Sequence, residues 1–373
     1  MRILHTESSL GWGGQEIRVL TEARGVARRG HEVAIAAPRE ARIFAEAPDY
    51  GVEIIALPIA RKRLAGAAAV RRLLDARAFD IVNTHSSTDS WLVTLATALA
   101  RRSPAIVRTR HISSPVPRNF ASRWLYARAA RIVTTGERLR LQVIAEAGVD
   151  PARTVSIPTG IDLTRFQPGD RGAARAQLRL PAQAPIVGIV ATLRSWKGHL
   201  HLLEALASLG RPEVRLVVVG DGPMREGIER RAGELALGER VTFAGNQRDV
   251  APWLHAFDLF CLPSYANEGV PQALAQAMAC GLAIVTTPVG SIGELVEDGR
   301  TGLIVPPRDP PALARAIATL LDDPSRRSRL GAAALEDARR RLGEDAMVDA
   351  MIRVFADAMQ ASSAPPRGSA RSG

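Results

Sequence analysis

Residues 258–281 read DLFCLPSYANEGVPQALAQAMACG, and this stretch holds the units from which a parallel α/β protein is assembled: an apolar run, a polar turn and a helix start. Residues 258–263 have the length and composition of a short strand buried on both faces. Residues 264–269 form a loop rich in hydrogen-bonding groups. Pro271 suits a first helical turn, where a missing N–H costs nothing, and Gly281 stops a helix predicted over 270–280. The first free N–H groups of such a helix point back at the loop and, with its dipole, favour an anion or a polar ligand. Glu268 stands beside that end with Gly269, Val270 and Gln272, and Gln276 lies further along the helix.

The same order of units opens the chain. Residues 1–6 (MRILHT) read as a strand, Gly11, Trp12, Gly13 and Gly14 as a loop, 15–29 as a helix with one apolar face, and 30–36 as the next strand. Strand, loop, helix, strand predicts a parallel sheet with helices on both faces. The glycines lack the G-x-G-x-x-G spacing of a dinucleotide fingerprint. Two readings of the loop stand: close approach of backbone at Gly14 to a phosphate or sugar, and a tight structural turn. Further strands are predicted at 52–57, 81–83 and 105–109. His85 and His111 each follow a strand end, where parallel sheets place ligands; a lone histidine there is more often a structural hydrogen-bonder, and His85 is read so. Pro158 and Gly160, in TVSIPTGIDLTRF at 154–166, make a hinge.

A second α/β unit starts with a strand at 186–191, followed by Thr192, Leu193, Arg194, Ser195, Trp196 and Lys197. Cations at a strand-to-helix turn suit a phosphate. Strands at 216–219 and 241–245 end at Gly220 and Asn246, and 283–286 is another. Helices are predicted at 309–321, 324–342 and 346–359. The end, 360–373, is rich in Ala, Ser, Pro, Arg and Gly and reads as a disordered tail.

The 373 residues exceed one ordinary core and predict two domains: 1–165 and 166–345, with the helix at 346–359 as a third segment. Hydrophobic content of 46% excludes an unfolded chain. No run is long enough to span a bilayer and strand-like residues begin at Arg2, so a cytoplasmic location is expected. Cys261 and Cys280 show no metal-ligand spacing and read as buried thiols. The net charge of +11 is uneven. Residues 1–165 carry 25 Lys and Arg against 15 Asp and Glu; the rest carries 24 against 23. A basic first half suits an anionic membrane face or a phosphorylated lipid acceptor, and equally a solvated arginine surface. Nucleic acid is not expected, since no binding motif accompanies the charge.

Glu268, Gly269 and Pro271 followed by AQAMACG resemble the Glu-x7-Glu signature of the family-4 retaining glycosyltransferases, and the chain resembles that family, including its lipopolysaccharide-core members, over nearly its whole length. The resemblance implies the GT-B fold: two Rossmann-like domains with parallel sheets facing across a cleft, and the last helix packing back on the first domain. It places the first glutamate, Glu268, by the donor sugar and the second, here Gln276, on the nucleotide ribose. Lys197 matches the lysine that grips the donor diphosphate; Thr192 stands where the family has arginine, and Arg194 is expected to supply that charge. His111 matches an acceptor-side histidine, with Arg108, Arg110 and Arg118 nearby. Gly14, Gly220 and Asn246 match positions around the donor nucleotide.

The implied activity is retaining transfer of a sugar from a UDP- or GDP-sugar to a lipid-linked, lipopolysaccharide or polysaccharide acceptor, at the cytoplasmic face of the inner membrane. No cofactor is expected, the nucleotide sugar being a substrate. No metal is expected either, because no D-x-D occurs. The alternatives are a nucleotide-sugar epimerase or phosphorylase on the same fold, and a non-catalytic nucleotide-sugar-binding partner.

Overall fold

The computed structural model describes residues 1–99, 103–266 and 268–363. These form two parallel sheets. The first contains β1 (Arg2–Thr6), β2 (Glu32–Ala37), β3 (Glu53–Ala56), β4 (Ile81–Thr84), β5 (Ala105–Arg110), β6 (Arg131–Thr134) and β7 (Thr154–Ser156), in the order β3-β2-β1-β4-β5-β6-β7. The second contains β8 (Ile186–Val190), β9 (Arg215–Val219), β10 (Val241–Gly245), β11 (Leu259–Leu262), β12 (Ala283–Thr286) and β13 (Gly302–Ile304), in the order β10-β9-β8-β11-β12-β13. The central strands β8 and β11 are buried throughout, as strands covered by helices on both faces must be.

Strand order reverses between β1 and β4 in one sheet and between β8 and β11 in the other. Parallel sheets open a crevice beyond the carboxyl ends of their strands at such a switch point. The segments singled out in the sequence leave those four strands: the Gly-rich loop after β1, His85 after β4, Lys197 after β8 and Glu268 after β11. Strands β6 and β13 are not among those predicted from the sequence.

Helix α1 runs over Gly14–Arg28, α2 over Gln272–Ala279 and α3 over Glu344–Ser363. Pro271 is therefore the extended N-cap of α2 and not its first helical residue, since the turn out of the loop needs an extended ψ there. Helix α3 begins before and ends after the predicted 346–359. Residues 360–363 of the expected tail belong to it, and the remainder of that tail lies outside the described residues. Met347, Val348, Met351, Val354, Phe355 and Ala358 of α3 join Ile3, Val26, Ile81, Val107 and Val133 in one core. This apolar stripe ties the chain's end to the first sheet. The two crossings between domains are hydrogen-bonded side by side: Ile161 N to Leu342 O at 2.7 Å and Glu344 N to Ile161 O at 3.0 Å.

Candidate active site

Glu268 is buried on the second domain's wall. Its Oε1 accepts from Lys197 Nζ at 2.7 Å and from Ser264 Oγ at 2.6 Å. Its Oε2 has no hydrogen-bond partner among the described residues. A carboxylate held by one oxygen, with the other open to a cleft, can orient a ligand hydroxyl or stabilise positive charge. Lys197 ends a short 3₁₀ turn, Ser195–Lys197, that follows β8. Switch strands β8 and β11 thus deliver the two halves of the pair.

Gly269 brings this wall against the other domain. A Cβ there would lie 2.1 Å from the His111 carbonyl oxygen and 2.6 Å from Thr135 Oγ1, so only glycine permits the approach. Pro271 offers α2 no side-chain cap, leaving the first N–H groups of the helix for a ligand. Gly220, at φ +135°, turns the chain after β9 against Ala191.

The walls enclose a cleft of about 880 Å³, within the range of small-molecule sites. Gly14, His111, Lys197, Gly220, Asn246, Glu268, Gly269, Val270, Gln272 and Gln276 all line it. Arg194 does not. It is the exposed N-cap of the Ser195–Lys197 turn, with its guanidinium 5.4 Å from the Trp196 ring centroid, because the residue before that turn points away from the β8 end. Arg108 and Arg110 also lie off the cleft. Arg108 is buried over the Tyr126 ring, and Arg110 donates to Tyr126 Oη at 2.9 Å and to the Ser114 carbonyl.

The cleft's remaining cations were not singled out from the sequence: Arg24, Arg42, Arg165 and Arg248. Arg248 pairs with Asp49, and Arg42 faces the Asn246 amide, which accepts from it when its oxygen is turned towards the guanidinium, both across the domain boundary. Thr159, in the hinge, accepts from the buried Arg18 at 3.2 Å. Arginine is so frequent in this chain that nothing in its spacing distinguishes these four. Among the described residues there is no group of three or more His, Cys, Asp or Glu that could hold a metal ion.

Behind the Gly-rich loop, Glu7 is fully buried and accepts from Ser9 N at 2.8 Å, Gln15 Nε2 at 2.6 Å and Ser86 Oγ at 2.6 Å. Burial, with Asp89 and Glu16 nearby, pushes its carboxyl up to about 8. The folded chain therefore binds a proton that the unfolded chain releases near 4.5. That contribution to stability is lost as pH rises through about 8. The buried histidines His5, His85 and His111 are held neutral and act in the opposite sense, but only below 6.5. Between pH 6.5 and 8 the melting temperature should fall by roughly a few degrees, with Glu22, raised to about 7, adding to the lower part. Glu7→Gln should flatten that limb in a thermal melt series; an equally steep limb would remove Glu7 as its source.

Residues 12–165 match the family description Glycosyltransferase Family 4, and residues 170–337 match Glycosyl transferases group 1. A D-inositol 3-phosphate glycosyltransferase of Nocardia farcinica is 33% identical over 284 residues, covering 70% of this chain and 62% of its own length. One from Mycobacterium tuberculosis is 33% identical over 347 residues, covering 83% of this chain and 71% of its own. The chain belongs to the family-4 glycosyltransferases. Among solved structures, Anabaena Alr3699/HepE in complex with UDP-glucose superposes on this family-4 chain with a TM-score of 0.84 at 22% identity, covering 95% of this chain and 99% of that one. The GT-B arrangement of two Rossmann-like domains is shared.

Within this family-4 chain the second acidic position of the signature is Gln276, mostly buried on the cleft wall in α2. An amide oxygen still accepts from a hydroxyl, without the charge. Thr192 also lines the cleft. With Arg194 turned outward, Lys197 is the cation of that strand-to-helix turn that faces the cleft.

Proposed function

We propose that this chain is a retaining glycosyltransferase that moves a sugar from a UDP- or GDP-sugar to a hydroxyl of a lipid-linked, lipopolysaccharide or polysaccharide acceptor, without a bridging divalent ion. The observation that carries the reading is the Lys197–Glu268 pair at the open N-terminus of α2, facing His111 across the cleft. Breaking an anomeric bond to a diphosphate develops negative charge on the leaving group. Lys197 and the free N–H groups of α2 are placed to stabilise it. The free Oε2 of Glu268 suits the sugar side, where positive charge grows. The motif holds no second carboxylate to complete with Glu268 the pair of a double displacement, which supports transfer on one face of the sugar.

The acceptor reading draws on the first domain's surface. Leu64 and Phe120 are each 84% exposed and begin the helices Leu64–Ala76 and Phe120–Ala127, with Arg61, Lys62, Arg63, Arg118 and Arg123 close by in sequence. Trp124 of the second helix stacks on Trp91 of the helix Ser87–Leu99 with ring centroids 6.0 Å apart, and Lys62 Nζ lies 5.7 Å from the Trp91 centroid. Apolar side chains among cations suit the face of an anionic membrane, and a peripheral cytoplasmic location follows from this reading. No helix among the described residues is long and apolar enough to cross a membrane. A second acceptor class, a phosphorylated cyclic polyol, is favoured by the likeness to the D-inositol 3-phosphate glycosyltransferases of Nocardia farcinica and Mycobacterium tuberculosis.

A panel of UDP-, GDP- and ADP-sugars, with and without a lipid-linked glycan or inositol phosphate, tests the proposal by nucleotide release and product linkage. Acceptor-dependent release with retention, undiminished by a chelator, is the expected result. Conversion of the donor without any acceptor would indicate an epimerase instead. Nucleotide binding without turnover for every pair would indicate a non-catalytic partner.

A further inference from the structure

His5 lies on β1, His85 just after β4 and His111 just after β5, and these three strands are adjacent in the first sheet. Their side chains form a ladder that runs from the domain core to the cleft. His5 Nδ1 is 2.9 Å from His85 Nε2, and His85 Nδ1 is 3.0 Å from His111 Nε2. Ring centroids are 5.2 Å apart at both steps. All three residues are buried, at 0%, 4% and 8% exposure, and burial holds each imidazole neutral.

A neutral imidazole carries one N–H and one lone pair. Two N···N hydrogen bonds among three such rings can then form in only two proton patterns: every ring protonated on Nδ1, or every ring on Nε2. The inner end decides between them. His5 Nε2 is buried with no partner, while its Nδ1 lies 4.0 Å from Glu22 Oε1. The Nε2 pattern would bury an N–H with no acceptor. The Nδ1 pattern leaves only a lone pair unsatisfied, and it puts the protonated nitrogen, which donates to His85 Nε2, 4.0 Å from Glu22 Oε1. Orphaned donors are the rarer and costlier of the two in folded proteins. Glu22 is fixed in turn by Asn83 Nδ2 at 3.1 Å and by Arg18 Nε at 3.7 Å.

At the outer end, His111 spends Nε2 on His85. Its Nδ1 has no hydrogen-bond partner among the described residues, and the residue lines the cleft beside Gly269. We propose that His5 and His85 are positioning residues that lock His111 in its Nδ1–H tautomer, so that it presents a hydrogen-bond donor to a substrate oxygen and not a base. The consequence for turnover rests on the cleft being the transferase site; the tautomer does not.

Long-range ¹H–¹⁵N correlation spectra of the full chain labelled with ¹⁵N-histidine, recorded at pH 8 and assigned by single histidine variants, read the pattern directly. Three neutral Nδ1–H rings are expected. An Nε2–H ring, a mixture or an imidazolium at any of the three would overturn the proposal. His85→Phe cuts the ladder: His111 should become a mixture of tautomers, and kcat should fall roughly tenfold, as for one lost substrate hydrogen bond, with KM nearly unchanged. His5→Phe, at the end remote from the cleft, serves as the second variant should His85→Phe fail to fold. A His111 that keeps its single tautomer and its kcat after either cut would refute the lock. Should no donor and acceptor support turnover, the spectra alone still decide it.

Discussion

Glu268→Gln is expected to lower sugar transfer by roughly 10²–10³-fold, the magnitude for removing one preorganised charge-stabilising group, while nucleotide binding and melting temperature stay close to wild type. The geometry makes this a test of charge. Glutamine has the same shape, and its amide oxygen can still accept from Ser264 Oγ and Lys197 Nζ, which the carboxylate holds at 2.6 and 2.7 Å. What it lacks is the negative charge that Oε2 presents to the cleft. The groups proposed to bind the donor, Gly220, Asn246 and the N–H groups of α2, are untouched, so a thermal shift with the nucleotide should survive. Full turnover in the variant would remove Glu268 from the chemistry and leave it a structural partner of Lys197. Loss of nucleotide binding along with turnover would assign it to donor affinity instead.

How far the sequence carries the site follows from where each signal lies. The Gly-rich loop, Lys197 and Glu268 each sit in the few residues after a strand, so the strand-turn-helix grammar of a parallel sheet locates them once the strands are recognised. Their convergence follows from the fold. The sequence does not contain the 2.1 Å between a Gly269 Cβ and the His111 carbonyl, because it arises where residues far apart in the chain, one from each domain, meet. Arg194 illustrates the limit in the other direction. It has the right charge close to the position that Thr192 occupies, yet it is the exposed N-cap of a 3₁₀ turn and faces solvent. His85 reads correctly as a structural hydrogen-bonder when alone, and only the adjacency of β1, β4 and β5 reveals that its partners are two more histidines. The hinge has the same character: Pro158 and Gly160 mark one crossing and the returning last helix implies a second, but that Leu342 and Glu344 pair with Ile161 is visible only in the folded chain.

Lys197→Met should abolish turnover to a similar degree as Glu268→Gln but, unlike it, should also destabilise the protein. The Glu268 side chain is 5% exposed against 18% for Lys197, so removing the ammonium leaves a buried carboxylate with Ser264 alone. Uncompensated buried charge costs on the order of a few kcal/mol, or several degrees of melting temperature for a domain of this size; the partial exposure of the pair puts the expected loss at the lower end. The double variant Lys197→Met with Glu268→Gln then separates two roles. If the pair's mutual interaction is what the single variant loses, neutralising Glu268 should restore most of the melting temperature, a coupling of about 1–3 kcal/mol in a double-mutant cycle. Turnover should stay absent, because neither the cation for the diphosphate nor the charge beside the sugar is present. A double variant as unstable as Lys197→Met would mean that the lysine stabilises the fold through some contact other than Glu268. A double variant that regains activity would mean that the pair holds the wall in place and that the leaving diphosphate is stabilised elsewhere, by the N–H groups of α2 or the arginines of the opposite wall.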